Sequence, residues 1–288
     1  MAENSSKVIL NGVLLPEEEA CISATSRGLM YGDGCFETFR SYNGHFLKLE
    51  AHLNRLEEGL DFLAIGYPEN LKCEKLKTLL ISLLTANNLL EKEAIIRLQV
   101  WRKGDRGYSI QTDEAGYSIT AAPFMAKKKE LRLATVDIKR ISSKTLPSRY
   151  KLSNGLNYII AAKQAAQRNA DDALLETIDG YISETTIANI FWKKGNTVFT
   201  PSVDCDILPG VTRSIIIKLL KYELKTEVKE GAFSVESIKD ADTVWICNSL
   251  KEIQLVKRID DIEFDTTVPF IQKLKEVFWD YRNEQLAK

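Results

Sequence analysis

The chain of 288 residues carries only two histidines, His45 and His52, and no H-E-x-x-H or paired-cysteine spacing. A zinc centre therefore has too few ligands, and a Ser-His-Asp triad has very little to be built from. The five cysteines, Cys21, Cys35, Cys73, Cys205 and Cys247, are scattered, odd in number and without a C-x-x-C pair, the pattern of reduced packing thiols. No charge of one sign dominates: 39 Lys and Arg face 40 Asp and Glu, a net charge of −1, which argues against an electrostatic nucleic-acid binder. No apolar run approaches the ~18 residues of a membrane span, and the start Met-Ala-Glu-Asn-Ser-Ser-Lys lacks the apolar core of a signal peptide. The expectation is a cytoplasmic protein with neither nucleic-acid nor membrane partners. Nor is there a G-x-x-x-x-G-K-[ST] loop or a G-x-G-x-x-G opening a helix, so ATP- and NAD-binding α/β enzymes are disfavoured. Whatever chemistry occurs must use Lys, Arg, carboxylates, hydroxyls or a borrowed cofactor.

What is present is ordinary globular composition, 44% hydrophobic and 27% charged, long enough for one large domain or two modest ones. Val8-Ile9-Leu10 leads through Asn11-Gly12 to Val13-Leu14-Leu15 as a hairpin, and Cys35 to Tyr42 reads as a strand closed by Asn43-Gly44. Leu49, Leu53, Leu56, Leu60 and Leu63 mark one face of a helix, and a second helix fits Lys72 to Asn87. Ala94 to Trp101 and Tyr117 to Ala122 are strand-like around a loop at Gly104 to Gly107. Pro123 and the Lys127-Lys128-Lys129 run then suggest a linker. Beyond it the spacing predicts a strand over 131–136, a helix with Leu156, Ile159, Ile160 and Ala166 on one side, and antiparallel strands over 173–178, 181–184, 190–192 and 198–200. A helix over 214–224 and a strand over 243–247 follow. Strands and helices mix without regular βαβ alternation, so the expected class is α+β with two domains: a small N-terminal domain over 1–121, a linker over 122–130 and a larger C-terminal domain over 131–288.

Taken singly, the candidate residues are ambiguous. Gly32-Asp33-Gly34 reads as a tight turn more readily than as a phosphate loop, because Gly34-Cys35-Phe36-Glu37 breaks the spacing. Gly210-Val211-Thr212 at a helix start offers N–H donors and a hydroxyl to an anion, and is equally an ordinary helix cap. Lys151, in a polar segment beside Arg149, is either a solvated lysine or an amine able to form a Schiff base. Glu184, five residues after Asp179-Gly180, reads by itself as no more than a strand-edge carboxylate.

In order along the chain, however, Arg27-Gly28-x-x-Tyr31-Gly32-Asp33-Gly34-Cys35-Phe36-Glu37-Thr38, His52-x-x-Arg55-Leu56, Lys151-x-x-Asn154, Gly180-x-x-x-Glu184-x-x-x-x-Asn189-Ile190-Phe191 and Leu208-Pro209-Gly210-Val211-Thr212-Arg213 resemble the class IV, fold type IV, pyridoxal-phosphate enzymes. These include branched-chain aminotransferases, D-amino acid aminotransferases and 4-amino-4-deoxychorismate lyases. The resemblance runs from about residue 20 to about 256. It implies a two-domain fold with a small α/β domain and a β-barrel-like cofactor domain with helices, pyridoxal 5'-phosphate as cofactor, a small amino compound as substrate, and a homodimer with active sites near its interface. It implies that Lys151 holds the cofactor and then moves the proton at the substrate carbon, that Glu184 faces the pyridine nitrogen, and that Arg55, Val211, Thr212 and Ser249 form the phosphate cup. Gly155 departs from the branched-chain enzymes, which carry a tyrosine there, and leaves the partner of the phenolic oxygen open.

Within the family, Arg102-Lys103-Gly104-Asp105-Arg106-Gly107-Tyr108 is similar to the lyases' R-G…R-G-Y loop, which makes Arg106 the substrate-carboxylate candidate and places Tyr108 beside it. Thr38 falls where lyases have an active-site threonine and branched-chain enzymes usually glycine, and Asn248 in Ile246-Cys247-Asn248-Ser249-Leu250 resembles the lyases' I-C-N-A-L. Glu37 and Glu252-Ile253 look more like aminotransferases. The resemblance therefore implies an aminodeoxychorismate lyase, acting through a lysine aldimine and a carbanion to give 4-aminobenzoate and pyruvate, with a branched-chain or D-amino acid aminotransferase as the alternative. Phe36, Arg97 and Trp101 are candidates to line the substrate pocket or to pack the core. A binding protein of the same fold without cofactor would have lost Lys151 or Glu184, and both are present.

Overall fold

The computed structural model describes residues 6–104, 106–125 and 130–287. Residues 126–129 of the expected linker, with its Lys127-Lys128-Lys129 run, and Asp105 of the arginine loop lie outside the described residues. The chain forms two compact units: one holds the described residues up to Met125 together with Tyr150–Asn154, the other those from 130 to Arg149 and Gly155–Ala287. Lys151 thus belongs to the first unit, although its chain neighbours on both sides of the segment belong to the second.

The first unit contains β1 (Lys7–Leu10), β2 (Val13–Pro16), α1 (Arg27–Tyr31), β3 (Gly34–Tyr42), β4 (His45–Phe46), α2 (Leu49–Phe62), α3 (Cys73–Ala86), β5 (Glu93–Arg102) and β6 (Ala115–Pro123). Asn11 and Gly12 both take positive φ, as a two-residue hairpin turn requires, and register β1 on β2. The six strands form one sheet in the order β2-β1-β6-β5-β3-β4. Leu53, Leu56 and Leu60 of α2, the stripe expected from the sequence, and Leu76, Leu80, Leu83 and Leu84 of α3 bury against Phe39, Ile96, Leu98 and Ile119 of that sheet. In β3 the two-residue period buries Cys35, Glu37, Phe39 and Ser41 and leaves Phe36, Thr38 and Arg40 half-buried on the other face. Gly34 has no room for a side chain, because a Cβ would stand 2.2 Å from the Val100 carbonyl oxygen.

The second unit contains β7 (Glu130–Thr135), α4 (Leu156–Gln167), β8 (Asp172–Glu176), β9 (Ile182–Thr185), β10 (Asn189–Lys194), β11 (Thr197–Pro201), α5 (Val211–Tyr222), β12 (Glu227–Gly231), β13 (Thr243–Asn248), β14 (Glu252–Ile259), β15 (Ile262–Glu263) and α6 (Pro269–Leu286). The strands make a mixed sheet in the order β12-β11-β10-β13-β14-β7-β8-β9, with β15 added to β14. β9, at one end of that order, comes back against β10 and β11, so the sheet curls. The two-unit α+β architecture with curled sheet is the expected class. Among the described residues no helix is long and apolar enough to cross a membrane.

Two elements differ from the sequence reading. α5 starts at Val211 rather than at Ser214, so Gly210 is its cap and Val211 and Thr212 form its first turn. On α4 the buried residues are Ala161 and Ala165, packed with Val136, Ala173 and Leu175, whereas Leu156 and Ile159 are 68% and 67% exposed. Apolar residues run around most of this helix, so periodicity alone does not choose its inner face. The alanines win because their small side chains let the helix lie close on β8.

Candidate active site

Lys151 is fixed by backbone pairing rather than by a helix or a regular strand. Its carbonyl accepts from the Phe36 N–H at 3.0 Å, the Ser153 N–H donates to the Gly34 carbonyl at 2.9 Å, and Leu152 bridges antiparallel to Cys35. The Tyr150–Asn154 segment thereby lies along the start of β3. The Lys151 ammonium then stands 4.5 Å from the centroid of the Phe36 ring, and the Arg97 guanidinium 4.0 Å from the same centroid, both at cation–π range. Arg97 is the cross-strand partner of Thr38 and donates to Gln99 Oε1 at 2.9 Å, while Gln99 Nε2 donates to Ser153 Oγ at 2.5 Å. Lys151, Phe36, Thr38 and Arg97 therefore share one face of the sheet. Trp101, paired with Gly34, lies on the same face by the two-residue period. It is buried where Gly28 and Gly116 approach it so closely that a Cβ on either would stand under 3.0 Å from its side chain, and it serves packing.

On the opposite, buried face of β3, Glu37 is inaccessible to solvent. Arg55 clamps it with two bonds, Nε to Oε1 at 2.7 Å and Nη2 to Oε2 at 2.8 Å, and His52 Nδ1 lies 2.7 Å from Oε2. Burial alone would push this carboxyl up, but the charges and hydrogen bonds of Arg55 and His52 outweigh it and bring the pKa down to about 2. His52 and Arg55 are three apart on α2, one face of the helix.

The Arg106 loop is tied to α1. Arg27, paired with Asp33 at 2.8 Å, donates to the Gly107 carbonyl, and the Gly107 N–H donates to Tyr31 Oη at 2.9 Å. Gly104 and Gly107 take φ of 110° and 118°, which lets the loop turn back. Arg106 and Tyr108 stand exposed on it, and the Tyr108 ring lies 5.4 Å from that of Tyr31.

In the second unit Glu184 is buried on β9 and accepts four hydrogen bonds. Oε1 takes Arg140 Nε at 3.2 Å and Tyr158 Oη at 3.3 Å; Oε2 takes Asn189 Nδ2 at 3.1 Å and the Leu208 N–H at 3.0 Å. Burial first, and then the Glu184 charge, push the Tyr158 phenol up, so it remains a donor. Asn189 Nδ2 also donates to the Leu208 carbonyl at 2.9 Å, and a Cβ on Gly210 would stand 2.1 Å from Asn189 Oδ1. One amide thus links the Glu184 carboxylate to the loop that starts α5. At that start Thr212 is buried with its hydroxyl 3.4 Å from that of Ser249, so Val211, Thr212 and Ser249 come together. Asn248 commits its side chain to backbone, donating to the Ile187 carbonyl at 3.1 Å and accepting from the N–H groups of Leu250 and Lys251 at 3.0 and 2.8 Å. It shapes the turn that carries Ser249.

The sequence reading missed the roles of Arg140, Tyr158 and Asn189 around Glu184 and of Glu37 and His52 around Arg55. Only the last three lay within quoted motifs. Arg140 and Tyr158 carry no local signal, since their partner is 44 and 26 residues away.

Residues 34–259 match the family model for amino-transferase class IV. The chain is 31% identical over 263 residues to an aminodeoxychorismate lyase of Bacillus subtilis, covering 89% of this chain and 88% of that protein. It is 34% identical over 287 residues to a putative branched-chain-amino-acid aminotransferase of Methanocaldococcus jannaschii, covering 96% and 97%. It superposes on the crystal structure of a branched-chain aminotransferase from Thermoproteus uzoniensis with norvaline at a TM-score of 0.89 and 29% identity, over 99% and 96% of the two chains. Two of these relatives differ in named activity yet match nearly the whole chain alike, so the match shows the family and not the reaction. The chain belongs to the class IV aminotransferase family of pyridoxal-phosphate-dependent enzymes.

Proposed function

We propose that the chain is a 4-amino-4-deoxychorismate lyase that converts aminodeoxychorismate to 4-aminobenzoate and pyruvate. The observation that carries this reading is Thr38, a hydroxyl on the sheet face that holds Phe36 and the Lys151 ammonium. A hydroxyl there can orient the substrate or hold a proton beside its reacting carbon, which a glycine cannot. The likeness to the Bacillus lyase supports the same reading.

The residues present fit pyridoxal 5'-phosphate. A buried, ionised carboxylate held in place by Arg140, Asn189 and the Leu208 N–H suits a protonated ring nitrogen, and the start of a 12-residue helix with two neighbouring hydroxyls suits a phosphate dianion. When bound, the cofactor supplies an electron sink for the pair released at the substrate carbon. Lys151 would hold it through its amine and, once displaced by the substrate amine, move the proton at that carbon. Glu184 would face the ring nitrogen, and Arg55, Val211, Thr212 and Ser249 would hold the phosphate. Arg106, with Tyr108, would take the substrate carboxylate, and Phe36 would line the site. Asn248 would act through the turn bearing Ser249. In the first unit Val13 and Leu29, and in the second Leu156 and Ile159, expose large apolar side chains, which a second copy of the chain would cover in a homodimer.

The second reading, a branched-chain or D-amino acid aminotransferase, is supported by the likeness to the Methanocaldococcus and Thermoproteus proteins. The test is the visible spectrum of the protein with pyridoxal phosphate after adding aminodeoxychorismate or, separately, panels of L- and D-amino acids. Repeated turnover to aminobenzoate and pyruvate with the starting spectrum restored is expected, and Thr38→Gly should slow it. Lasting conversion by one amino acid, with no aminobenzoate formed, makes the protein a transaminase instead.

A further inference from the structure

Position 37 is a place where the fold calls for an apolar residue. It lies on the core face of β3 between Cys35 and Phe39, in a sheet face packed by the leucines of α2 and α3. A buried ion pair is weak grounds for stability, since a well-packed apolar replacement of the whole group is often neutral or better. The observed group is also more specific than charge neutralisation needs. Two parallel bonds fix the plane of the Arg55 guanidinium through its Nε/Nη2 edge, and His52 fixes the carboxylate in turn. His52 is itself held, buried, with its ring 5.4 Å from that of Phe39. The pKa of about 2 keeps the carboxylate ionised throughout the neutral range.

We propose that Glu37 is a positioning residue for cofactor phosphate binding: its carboxylate, oriented by His52, holds the Arg55 guanidinium in one plane and so presents it to the phosphate. This rests on the reading of Arg55 as part of the phosphate cup. Its electrostatic consequence has a definite sign. A carboxylate beside Arg55 lowers the net attraction for a dianion, so a Glu37 that mattered only through charge would weaken phosphate binding, and its removal would strengthen it. If orientation dominates, removal weakens binding, because an arginine carries several rotatable bonds that the clamp immobilises.

The experiment measures the dissociation constants of the apoprotein for pyridoxal phosphate and for pyridoxal, which lacks the phosphate, by absorbance titration. Their ratio isolates the phosphate contribution from the amine and ring contacts. For Glu37→Gln the preference for the phosphorylated form is expected to fall by about 10- to 100-fold, the scale of loss when an orienting partner is removed from a ligand-holding side chain in metal sites, with pyridoxal affinity unchanged. Arg55→Gln is expected to lower it at least as far, and the double variant no further than Arg55→Gln alone, since Glu37 acts through Arg55. If Arg55→Gln leaves the preference intact, the phosphate reading of Arg55 fails and this proposal with it. If Arg55→Gln lowers it while Glu37→Gln leaves it unchanged or raises it, the proposal alone is overturned. Should Glu37→Gln not fold, as judged by thermal unfolding, Glu37→Asp keeps the charge and withdraws it by one methylene. A wild-type preference in Glu37→Asp also overturns the proposal.

Discussion

Replacing Glu184 by glutamine changes one atom in a place where all four neighbours are donors. The two carboxylate oxygens each accept two hydrogen bonds, and an amide can supply only one oxygen. With that oxygen toward Arg140 and Tyr158, the new NH2 meets the Asn189 amide and the Leu208 N–H. Asn189 cannot simply turn over, because its Nδ2 also serves the Leu208 carbonyl, which would then face an oxygen. The other orientation sets the NH2 against the Arg140 guanidinium. In either case Arg140, itself buried, loses its anionic partner. Breaking a buried pair costs about 3–5 kcal/mol; the surviving oxygen recovers part of this, leaving about 2–4 kcal/mol. For a domain of this size that lowers Tm by roughly 5–15 °C, measured on the apoprotein so that cofactor binding does not enter. On the proposed role of Glu184 the holoenzyme should also lose about 10²–10³ in kcat, the scale seen when one preorganised charge-stabilising group is removed, while still binding the cofactor. A variant that melts with the wild type shows that the four-donor cage is not a paired buried charge. One that melts lower yet turns over at the wild-type rate removes Glu184 from the chemistry and leaves it a structural residue.

Two further predictions concern the first unit. The Glu37 carboxyl is depressed from an ordinary 4.5 to about 2, so its stabilisation is complete above 4.5 and is lost as pH falls from there toward 2, on the order of 3 kcal/mol in all; urea unfolding from neutral pH to about pH 3 should show wild type and Glu37→Gln converging, and a constant gap would refute the linkage. Gly34→Ala should cost about 3 kcal/mol or more, because its Cβ would meet the Val100 carbonyl oxygen at 2.2 Å and the Trp101 Cα at 2.9 Å, which are backbone atoms that can yield only by parting β3 from β5; unchanged thermal unfolding by circular dichroism would contradict it.

The hairpin at Asn11-Gly12, the leucine face of α2, the span of α3, and the strands β3 and β5 were legible because turn chemistry and residue period act locally. The start of α5 was nearly so: Gly210-Val211-Thr212 reads as a cap, but the helix takes in Val211 and Thr212, whose β-branched side chains lower helix propensity only slightly. The inner face of α4 was not legible, because Ile159 and Ala161 are both apolar and only the proximity of β8 decides between them. Of the proposed site, Lys151 and Glu184 were singled out through motif order, and the structure sets Thr212, next to Val211, beside Ser249. Thr38 was singled out only through the resemblance to the lyases; that it shares the face of Phe36 comes from the two-residue period of β3 in the structure. Arg140 and Tyr158 could not be found, since the contact that gives them meaning is made by chain closure across the second unit.

Among the buried charges a common logic is visible. Arg27 and Arg102 both bond Asp33, beside the start of β3 and the Arg106 loop. Arg55 bonds Glu37 and Arg140 bonds Glu184. Each pair occupies space that apolar packing could fill at no net loss of stability, yet each adjoins a segment that carries a candidate site residue. Apolar contacts tolerate sliding by fractions of an ångström, whereas a bidentate or multiply bonded ion pair fixes both distance and plane. A site that must hold a flat ring and a tetrahedral dianion in register needs that second kind of restraint. The buried arginines therefore mark where the fold gives up interchangeable packing for fixed orientation.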